Sequence, residues 1–128
     1  MVFDKIRREH VVLTPEEIVR QQFVDYLMKT LHFPKNLISV EREFIDANSK
    51  KYRYDIVVYD RSLQPFILVE CKAKDIKITE ETFLQVANYN KTLKAKYLII
   101  TNLVNTFCWE FISGKYNPSV IPKFDKKS

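Results

Sequence analysis

Two acidic residues and one lysine interrupt a stretch whose composition is otherwise typical of β-strands. Asp55 lies inside the apolar segment 52–59, and Glu70 and Lys72 follow a second apolar segment, 66–69. Both segments are rich in β-branched and aromatic residues, and the residues between them favour a turn. Because side chains alternate along a strand, Glu70 and Lys72 point to the same side. The second strand therefore ends with a carboxylate and an ammonium group on one face.

The two acids become neighbours if the two segments pair as a hairpin. A turn centred between Ser62 and Leu63 sets Asp55 directly opposite Glu70, with Cβ atoms about 5 Å apart. Carboxylates that close repel each other unless a cation lies between them. Lys72 offers one positive charge and a divalent metal offers two. Oxygen ligands of this kind suit Mg²⁺ or Mn²⁺ rather than Zn²⁺.

This expectation depends on the register of the hairpin, since a slip of one residue moves Asp55 to the other face. If the register holds, the mutation Asp55→Asn should raise stability in the absence of metal, because it removes the repulsion. An interpretation without chemistry also exists for part of the pattern. Glu70 and Lys72 alone could form a half-exposed ion pair at a strand end, which is common and contributes little.

The same residues carry a resemblance to a known enzyme family. Asp55 followed by Glu70-Cys71-Lys72 resembles the D…ExK core of the PD-(D/E)xK phosphodiesterases, the superfamily of many restriction endonucleases. The fuller pattern resembles the N-terminal nuclease domain of type I restriction enzyme R subunits. Tyr54 stands where the superfamily name has a proline, at a position that the resemblance implies is variable. The motifs, which together span about residues 12–103, are the opening helix motif 14–21, the strand 54–60, the segment 69–73 and the helical pair Gln85 and Tyr89.

The resemblance implies hydrolysis of DNA phosphodiester bonds with a divalent metal. Asp55 and Glu70, with the backbone carbonyl of Cys71, would hold one or two Mg²⁺ or Mn²⁺ ions, which polarise the phosphate and activate a bound water. Lys72 would orient that water or stabilise the developing negative charge, and we favour this electrostatic role over that of a general base. The implied partners are DNA and either other subunits of a restriction system or a second copy of the chain.

Four residues on the predicted helices receive roles from the resemblance alone. Gln85 would contact the scissile phosphate or order Lys72. Glu17 would add a metal contact, directly or through water, although its position in a helix cap explains it equally well. Arg20 and Gln21 would hold a neighbouring phosphate, and without the resemblance they would be interpreted as a solvated or structural face of the helix.

The order of predicted elements is helix, three strands, helix, two strands. The first helix should begin at Thr14, which serves as its N-cap. Pro15 then takes the first helical position, and Glu17 completes the capping box. A strand, helix and strand in sequence form a right-handed crossover, so the strand 96–101 should be parallel to the strand that begins at Phe66. We therefore predict an α/β fold (an α+β mixed sheet) with a restriction-endonuclease-like αβββαβ core and a helix on each face of the sheet. The predicted elements are helix 14–31, strands 37–44, 52–59 and 66–69, helix 81–94 and strands 96–101 and 106–112.

The composition limits the other function classes. The 128 residues predict a single domain, 1–128, with an N-terminal arm at 1–13, or an early strand at 11–13, and a flexible tail at 118–128. The net charge of +5 is compatible with a polyanionic partner. Gly114 is the sole glycine, which excludes a Walker A loop and a GxGxxG fingerprint, and the two cysteines lack zinc-ligand spacing. Cys71 should be a buried apolar residue, and we expect a cytoplasmic chain with no membrane span.

Two other functions remain open from the sequence. The first is a non-catalytic module that keeps the nuclease fold and binds nucleic acid or protein while the metal site is idle. The complete D…ExK pattern argues against it, because a decayed site usually loses an acid or the lysine. The second is a small structural protein in which the motif arose by chance.

Overall fold

A computed structural model of the chain describes residues 2–4, 6, 9–11 and 13–125. The predicted order of helices and strands from residue 14 to residue 112 is confirmed, and a short strand follows it that we did not predict. The described elements are β1 (Val2–Asp4), β2 (Glu9–Val11), α1 (Pro15–Lys29), a 3-10 helix (Lys35–Leu37), β3 (Ile38–Ile45), β4 (Lys51–Tyr59), β5 (Pro65–Cys71), α2 (Glu80–Leu93), β6 (Tyr97–Thr101), β7 (Thr106–Ile112) and β8 (Lys115–Pro118).

Both helices begin at threonine caps. The Thr14 side chain accepts a hydrogen bond from the backbone N–H of Glu17, and Pro15 follows as the first residue of α1. The Thr79 side chain accepts from the backbone N–H of Thr82 at the start of α2. These bonds satisfy donors that have no partner within the first helical turn. The capping motifs therefore determine where each helix starts along the chain.

The main sheet has six strands in the order β3-β4-β5-β6-β7-β8. Neighbouring strands are antiparallel except β5 and β6, which are parallel, as the crossover through α2 requires. One face of the sheet packs on α1 in a cluster that includes Val19, Phe23 and Leu27. The other face packs on α2 in a cluster that includes Val86 and Leu93. We call these the α1 cluster and the α2 cluster, and they confirm the mixed sheet with a helix on each face.

The register of the β4–β5 hairpin is the predicted one over its central pairs. Ile56 pairs with Val69 and Val58 with Ile67, and Asp55 and Glu70 are the next residues beyond the last of these pairs. Towards the turn the register shifts at a bulge between Val58 and Tyr59. The turn contains no glycine, and Leu63 takes the left-handed backbone conformation there, with φ of 60°.

Strands β3 and β4 exchange the faces of their side chains partway along. Val40 and Ile56 pack in the α1 cluster, whereas Phe44 and Tyr54, which have the same parity, pack against or within the α2 cluster. The exchange occurs where Glu41 of β3 takes a left-handed backbone conformation, with φ of 49°. A regular strand would place successive side chains on alternate faces along its whole length. In β3 this alternation fails beyond Glu41, because the irregular backbone breaks the period of two.

The two ends of the described chain add structure that the sequence did not predict. Strands β1 and β2 pair as an antiparallel hairpin where we expected an arm or a strand at 11–13. Strand β2 ends at Val11, and Val12 lies outside the described residues. Strand β8 pairs with β7 at the sheet edge. Beyond it, the backbone N–H of Phe124 donates to the carbonyl of Leu31, and its ring packs on Phe33. None of the helices in the described residues is long and apolar enough to span a membrane.

Candidate active site

The site begins where β4 and β5 separate. Their ladder of paired residues ends at Ile56 and Val69, one step before Asp55 and Glu70. Beyond this point the Asp55 carboxylate acts in place of a strand partner, because its Oδ2 accepts a hydrogen bond of 2.8 Å from the backbone N–H of Cys71. Asp55 also lies at the level of β3 where the side chains exchange faces. The carboxylate is therefore held within β4 at the point where the β4–β5 ladder ends, and Arg20 of α1 reaches it there.

Asp55 and Glu70 form a coupled pair of carboxyl groups, each of which shifts the pKa of the other. Burial acts to raise the pKa of Asp55, but hydrogen bonds from Glu70, Cys71 and Arg20 outweigh it and hold that pKa below its ordinary value. Burial, together with the hydrogen bond to Asp55 and its charge, raises the pKa of Glu70 to about 9. The two carboxyl groups therefore titrate together, and Glu70 is the one that binds a proton more tightly.

Arg20 of α1 is the cation that meets Asp55. Its Nη2 donates a hydrogen bond of 2.8 Å to Asp55 Oδ1, and its Nη1 donates to Glu17 Oε2. Glu16 Oε1 lies 3.3 Å from Nη2, and Glu41 Oε1 lies 3.4 Å from Nη1. Arg20 is only 5% exposed, so these pairs lie in a region of weak solvent screening. One guanidinium therefore connects α1 to both β3 and β4.

Other polar residues of α1 surround the Arg20 side chain. Glu17 is 4% exposed, and its Oε1 accepts a hydrogen bond of 2.9 Å from the Gln21 side chain. Burial, followed by the charge of Asp55, raises the pKa of Glu16. Among the described residues, Arg20 Nε is a buried side-chain nitrogen without a hydrogen-bond partner in the protein. The helix thus presents an acidic patch that the arginine partly neutralises.

Lys72 lies beside the carboxyl pair on the strand that continues from Glu70. Its Nζ is 3.8 Å from Glu70 Oε2, and its side chain is partly exposed. The backbone N–H of Lys72 donates to the carbonyl of Thr101, which extends the β5–β6 pairing past the end of β5. The thiol of Cys71 points the other way, into the α1 cluster, as predicted. Burial raises the pKa of this thiol well above its ordinary value.

Gln85 lies on α2 and is exposed, with its side-chain amide donating to the Tyr89 hydroxyl at 3.0 Å. Tyr89 in turn contacts the strand that carries Asp55. Its carbonyl accepts a hydrogen bond of 2.8 Å from the Tyr54 hydroxyl, and its ring packs on Tyr52 at 5.2 Å. Gln85 is therefore linked to the residue that precedes Asp55, and the described hydrogen bonds do not link it to the carboxyl pair itself.

The structure thus brings together Asp55, Glu70, Lys72, Glu17 and Arg20. The phosphate contacts proposed for Arg20 and Gln21 and the metal contact proposed for Glu17 remain predictions. In the structure the side chains of Arg20 and Gln21 both donate to Glu17, and Arg20 donates to Asp55 as well.

Two acids that belong to this cluster were not predicted, Glu16 and Glu41. Glu16 precedes Arg20 by four residues, which is the spacing of an ion pair on one helix face, and that signal was available in the sequence. Glu41 reaches Arg20 from another strand, and no local pattern predicts that contact.

The carboxyl pair has the chemistry of a divalent cation site. Across the described parts of the chain, no three acidic, histidine or cysteine side chains are arranged to hold a metal ion by themselves. The charge of Asp55 nevertheless disfavours ionisation of Glu70, and a divalent cation bound between them would offset that repulsion. Both provide oxygen ligands, which suit Mg²⁺ or Mn²⁺. The backbone of Cys71, a residue predicted to contribute its carbonyl, adjoins the pair.

Comparisons with known proteins agree with this fold. The chain is similar to a solved fragment assigned as an HsdR subunit of a type I restriction enzyme from Vibrio vulnificus YJ016, with 17% identity and a TM-score of 0.61. The similarity covers 89% of this chain and 24% of that one, and at this identity it shows the fold alone. No curated protein matches the chain significantly. The family model described as "Type I restriction enzyme R protein N terminus (HSDR_N)" matches residues 15–124. The chain therefore belongs to the family of type I restriction enzyme R protein N-terminal domains.

Proposed function

We propose that this domain is a Mg²⁺-dependent phosphodiesterase of the PD-(D/E)xK type that cuts DNA. The observation that carries the proposal is the coupled pair of Asp55 and Glu70, with Lys72 Nζ 3.8 Å from Glu70 Oε2. Two largely buried carboxyl groups that interact are unfavourable for stability unless a cation joins them, which favours a functional role for the pair. The family gives this pair a restriction-system context, in which DNA and other subunits are the natural partners. A cytoplasmic location stays a prediction.

The residues of the pair would divide the work as follows. Asp55 and Glu70, with the carbonyl of Cys71, would hold Mg²⁺, which when bound supplies charge neutralisation at the phosphate and an acidified water. Glu70 must release its proton to take part, because only the ionised carboxyl is a good ligand. Lys72 adds a positive charge next to the pair, where it would stabilise the negative charge that develops on the phosphate oxygens.

Arg20 would act on this site through Asp55. It holds one carboxylate oxygen while the Cys71 N–H holds the other, so the carboxylate has a fixed orientation. Free lone pairs on both oxygens remain for a cation. We therefore assign Arg20 as a positioning residue for the proposed reaction.

The test is a nicking assay on supercoiled plasmid with Mg²⁺ or Mn²⁺. We expect nicking that stops when the metal is chelated and that falls by at least about 10²-fold in Lys72→Ala, the range for loss of one stabilising charge. Lys96→Ala is the matched control, because Lys96 also pairs with a glutamate, Glu110, at 3.5 Å. Equal nicking by Lys72→Ala and Lys96→Ala would overturn the assignment of the site.

A non-catalytic binding module is the second candidate. The observation that favours it is that Arg20 already supplies a cation to Asp55 and Glu17, so the acids of α1 and β4 are partly neutralised without metal. DNA binding that survives chelation and Lys72→Ala, without any cutting, would support this candidate over the nuclease.

A further inference from the structure

An exposed aromatic surface lies at the end of the sheet that carries the carboxyl pair. Phe107 of β7 is 43% exposed, and its ring stacks on Trp109 with centroids 6.1 Å apart and planes inclined by 23°. Phe83 of α2 supports Trp109 from the other side, with centroids 4.6 Å apart. Together with Ile78 these residues wall a hollow of about 300 Å³. We call the rings of Phe107 and Trp109 the aromatic platform.

The platform lies on the same face and at the same level of the sheet as Glu70. Ile100 of β6 pairs with Glu70 on one side and with Phe107 on the other. Ile100 and Trp109 both pack in the α2 cluster or against it, so Phe107 and Glu70 share the face that α2 covers. Two strand spacings separate them, about 10 Å. At a rise of 3.4 Å per nucleotide, this corresponds to about three stacked nucleotides of one DNA strand.

A basic loop joins the site to the platform. The residues between β5 and α2 begin with Lys72 and continue with the exposed Lys74 and Lys77. The loop has a defined position, because the Asn102 side chain donates a hydrogen bond of 2.8 Å to the carbonyl of Ile76. Cations between the carboxyl pair and the platform suit a phosphate backbone that runs from one to the other.

We propose that the platform stacks an unpaired nucleobase of the DNA strand that is bound at the carboxyl pair. The inference rests on the proposed function and narrows its substrate to DNA with unpaired nucleotides next to the bond that is cut. An exposed ring that already stacks on a second ring is a surface on which a base can extend the stack. The phosphates lie on the side of Lys74 and Lys77, because Glu80 lines the hollow and repels them.

The observations favour nucleic acid over a protein segment as the occupant. A docked apolar peptide would need apolar side chains along its path, yet the path from the platform to Glu70 follows a loop with three lysines. Aromatic stacking combined with basic side chains along a backbone path is the pattern by which proteins bind single strands.

Binding of oligonucleotides in the presence of a chelator tests the inference without any cutting. Trp109 is the sole tryptophan of the chain, so its fluorescence reports on the platform. We expect a short single-stranded oligonucleotide to quench this fluorescence more strongly than a blunt duplex of the same sequence. We expect Phe107→Ala to weaken single-strand binding by about 5- to 100-fold, measured by anisotropy of a labelled oligonucleotide.

Phe111→Ala is the matched control, because Phe111 lies on the same strand, is 44% exposed and is at the other end of β7. Three results would overturn the inference: equal effects of the two variants, equal quenching by duplex and single strand, or no quenching by either DNA. A Trp109 signal that depends on protein concentration instead of DNA would identify the platform as a contact between copies, which also overturns it. Because no cutting is needed, a failed nicking assay leaves this result readable.

Discussion

Arg20 Nη2 lies 2.8 Å from Asp55 Oδ1, and both side chains are buried between α1 and β4. This ion pair changes the meaning of the carboxyl pair that the sequence predicted. Hydrogen bonds from Glu70, the Cys71 N–H and Arg20 hold the pKa of Asp55 below its ordinary value, whereas the pKa of Glu70 is raised to about 9. The predictions that follow depend on this division between the two acids.

Replacement of Arg20 should destabilise the domain strongly. In Arg20→Met the carboxylates of Asp55 and Glu17 stay buried without their cation, and we expect a loss of about 3–5 kcal/mol in the free energy of unfolding. Urea denaturation measures this loss as a lower midpoint at an unchanged slope.

Arg53→Met is the control for that experiment. Arg53 pairs with Glu43 at 3.3 Å, but both side chains are more than half exposed, so its loss should change stability by about 0–1 kcal/mol. Similar losses in the two variants would contradict the view that Arg20 joins α1 to β4 through a buried pair.

Neutralising each acid of the pair should have opposite effects in the absence of metal. Asp55→Asn should destabilise the domain by about 1–3 kcal/mol, because the amide cannot accept from both Arg20 and the Cys71 N–H. This is the reverse of the sign expected in the sequence analysis, because that expectation did not include the ion pair between Asp55 and Arg20. Glu70→Gln should leave stability unchanged or raise it, because it removes an acid whose ionised form is disfavoured. Thermal unfolding in a chelating buffer measures both, and a stabilised Asp55→Asn would contradict the arrangement.

The stability of the metal-free domain should depend on pH through Glu70. Its pKa is raised to about 9 in the fold, so the fold binds a proton more tightly than the unfolded chain does. That contribution is complete below the ordinary carboxyl pKa and is lost as pH rises towards about 9. Asp55, whose pKa is lowered, contributes in the opposite direction and loses its contribution as pH falls below about 4.

The midpoint of urea denaturation should therefore decrease between about pH 5 and pH 9. Glu16, whose pKa is also raised, contributes to the same trend, so the comparison with Glu70→Gln isolates the effect of Glu70. The midpoint of that variant should vary much less over this range. An equal decrease in both proteins would show that Glu70 is not the acid that binds a proton more tightly.

Divalent metal should stabilise the fold if the carboxyl pair binds it. A ligand that binds only the folded chain adds about 2.7 kcal/mol at a concentration 100 times its dissociation constant. We expect Mg²⁺ to raise the melting temperature of the unmodified chain and to have little effect on Glu70→Gln. Ca²⁺, which also binds oxygen ligands, serves as a second cation in the same measurement. A rise in melting temperature that persists in Glu70→Gln would show that the metal binds elsewhere.

Gln85→Ala should separate function from stability. Gln85 is exposed and bonds to the Tyr89 hydroxyl, so we expect its loss to change the free energy of unfolding by at most about 0.5 kcal/mol. If it contacts the scissile phosphate, nicking should fall on the order of 10²-fold. Gln64→Ala, in the β4–β5 turn, is the control, and equal nicking by both variants would remove Gln85 from the site.

Much of this fold could be predicted because its causes are local. The caps at Thr14 and Thr79 determine where the helices start, and the apolar segments determine which residues form β4, β5 and β6. The pairing of Ile56 with Val69 followed from apolar pattern and turn position, because a slip by one residue would expose the buried face of each strand. The opposition of Asp55 and Glu70 follows from the same register.

Contacts between distant segments could not be predicted in this way. The sequence shows Arg20 and Asp55 as charges on two separate elements, 35 residues apart, and nothing local relates them. Their pairing depends on how α1 packs on the sheet. It also depends on the exchange of faces at Glu41, beside which the Asp55 side chain of β4 meets α1. Residue types and spacing thus predicted a carboxyl pair. Only the tertiary structure decided which groups surround Asp55 and lower its pKa, namely Glu70, the Cys71 N–H and Arg20, because charge state depends on neighbours in space.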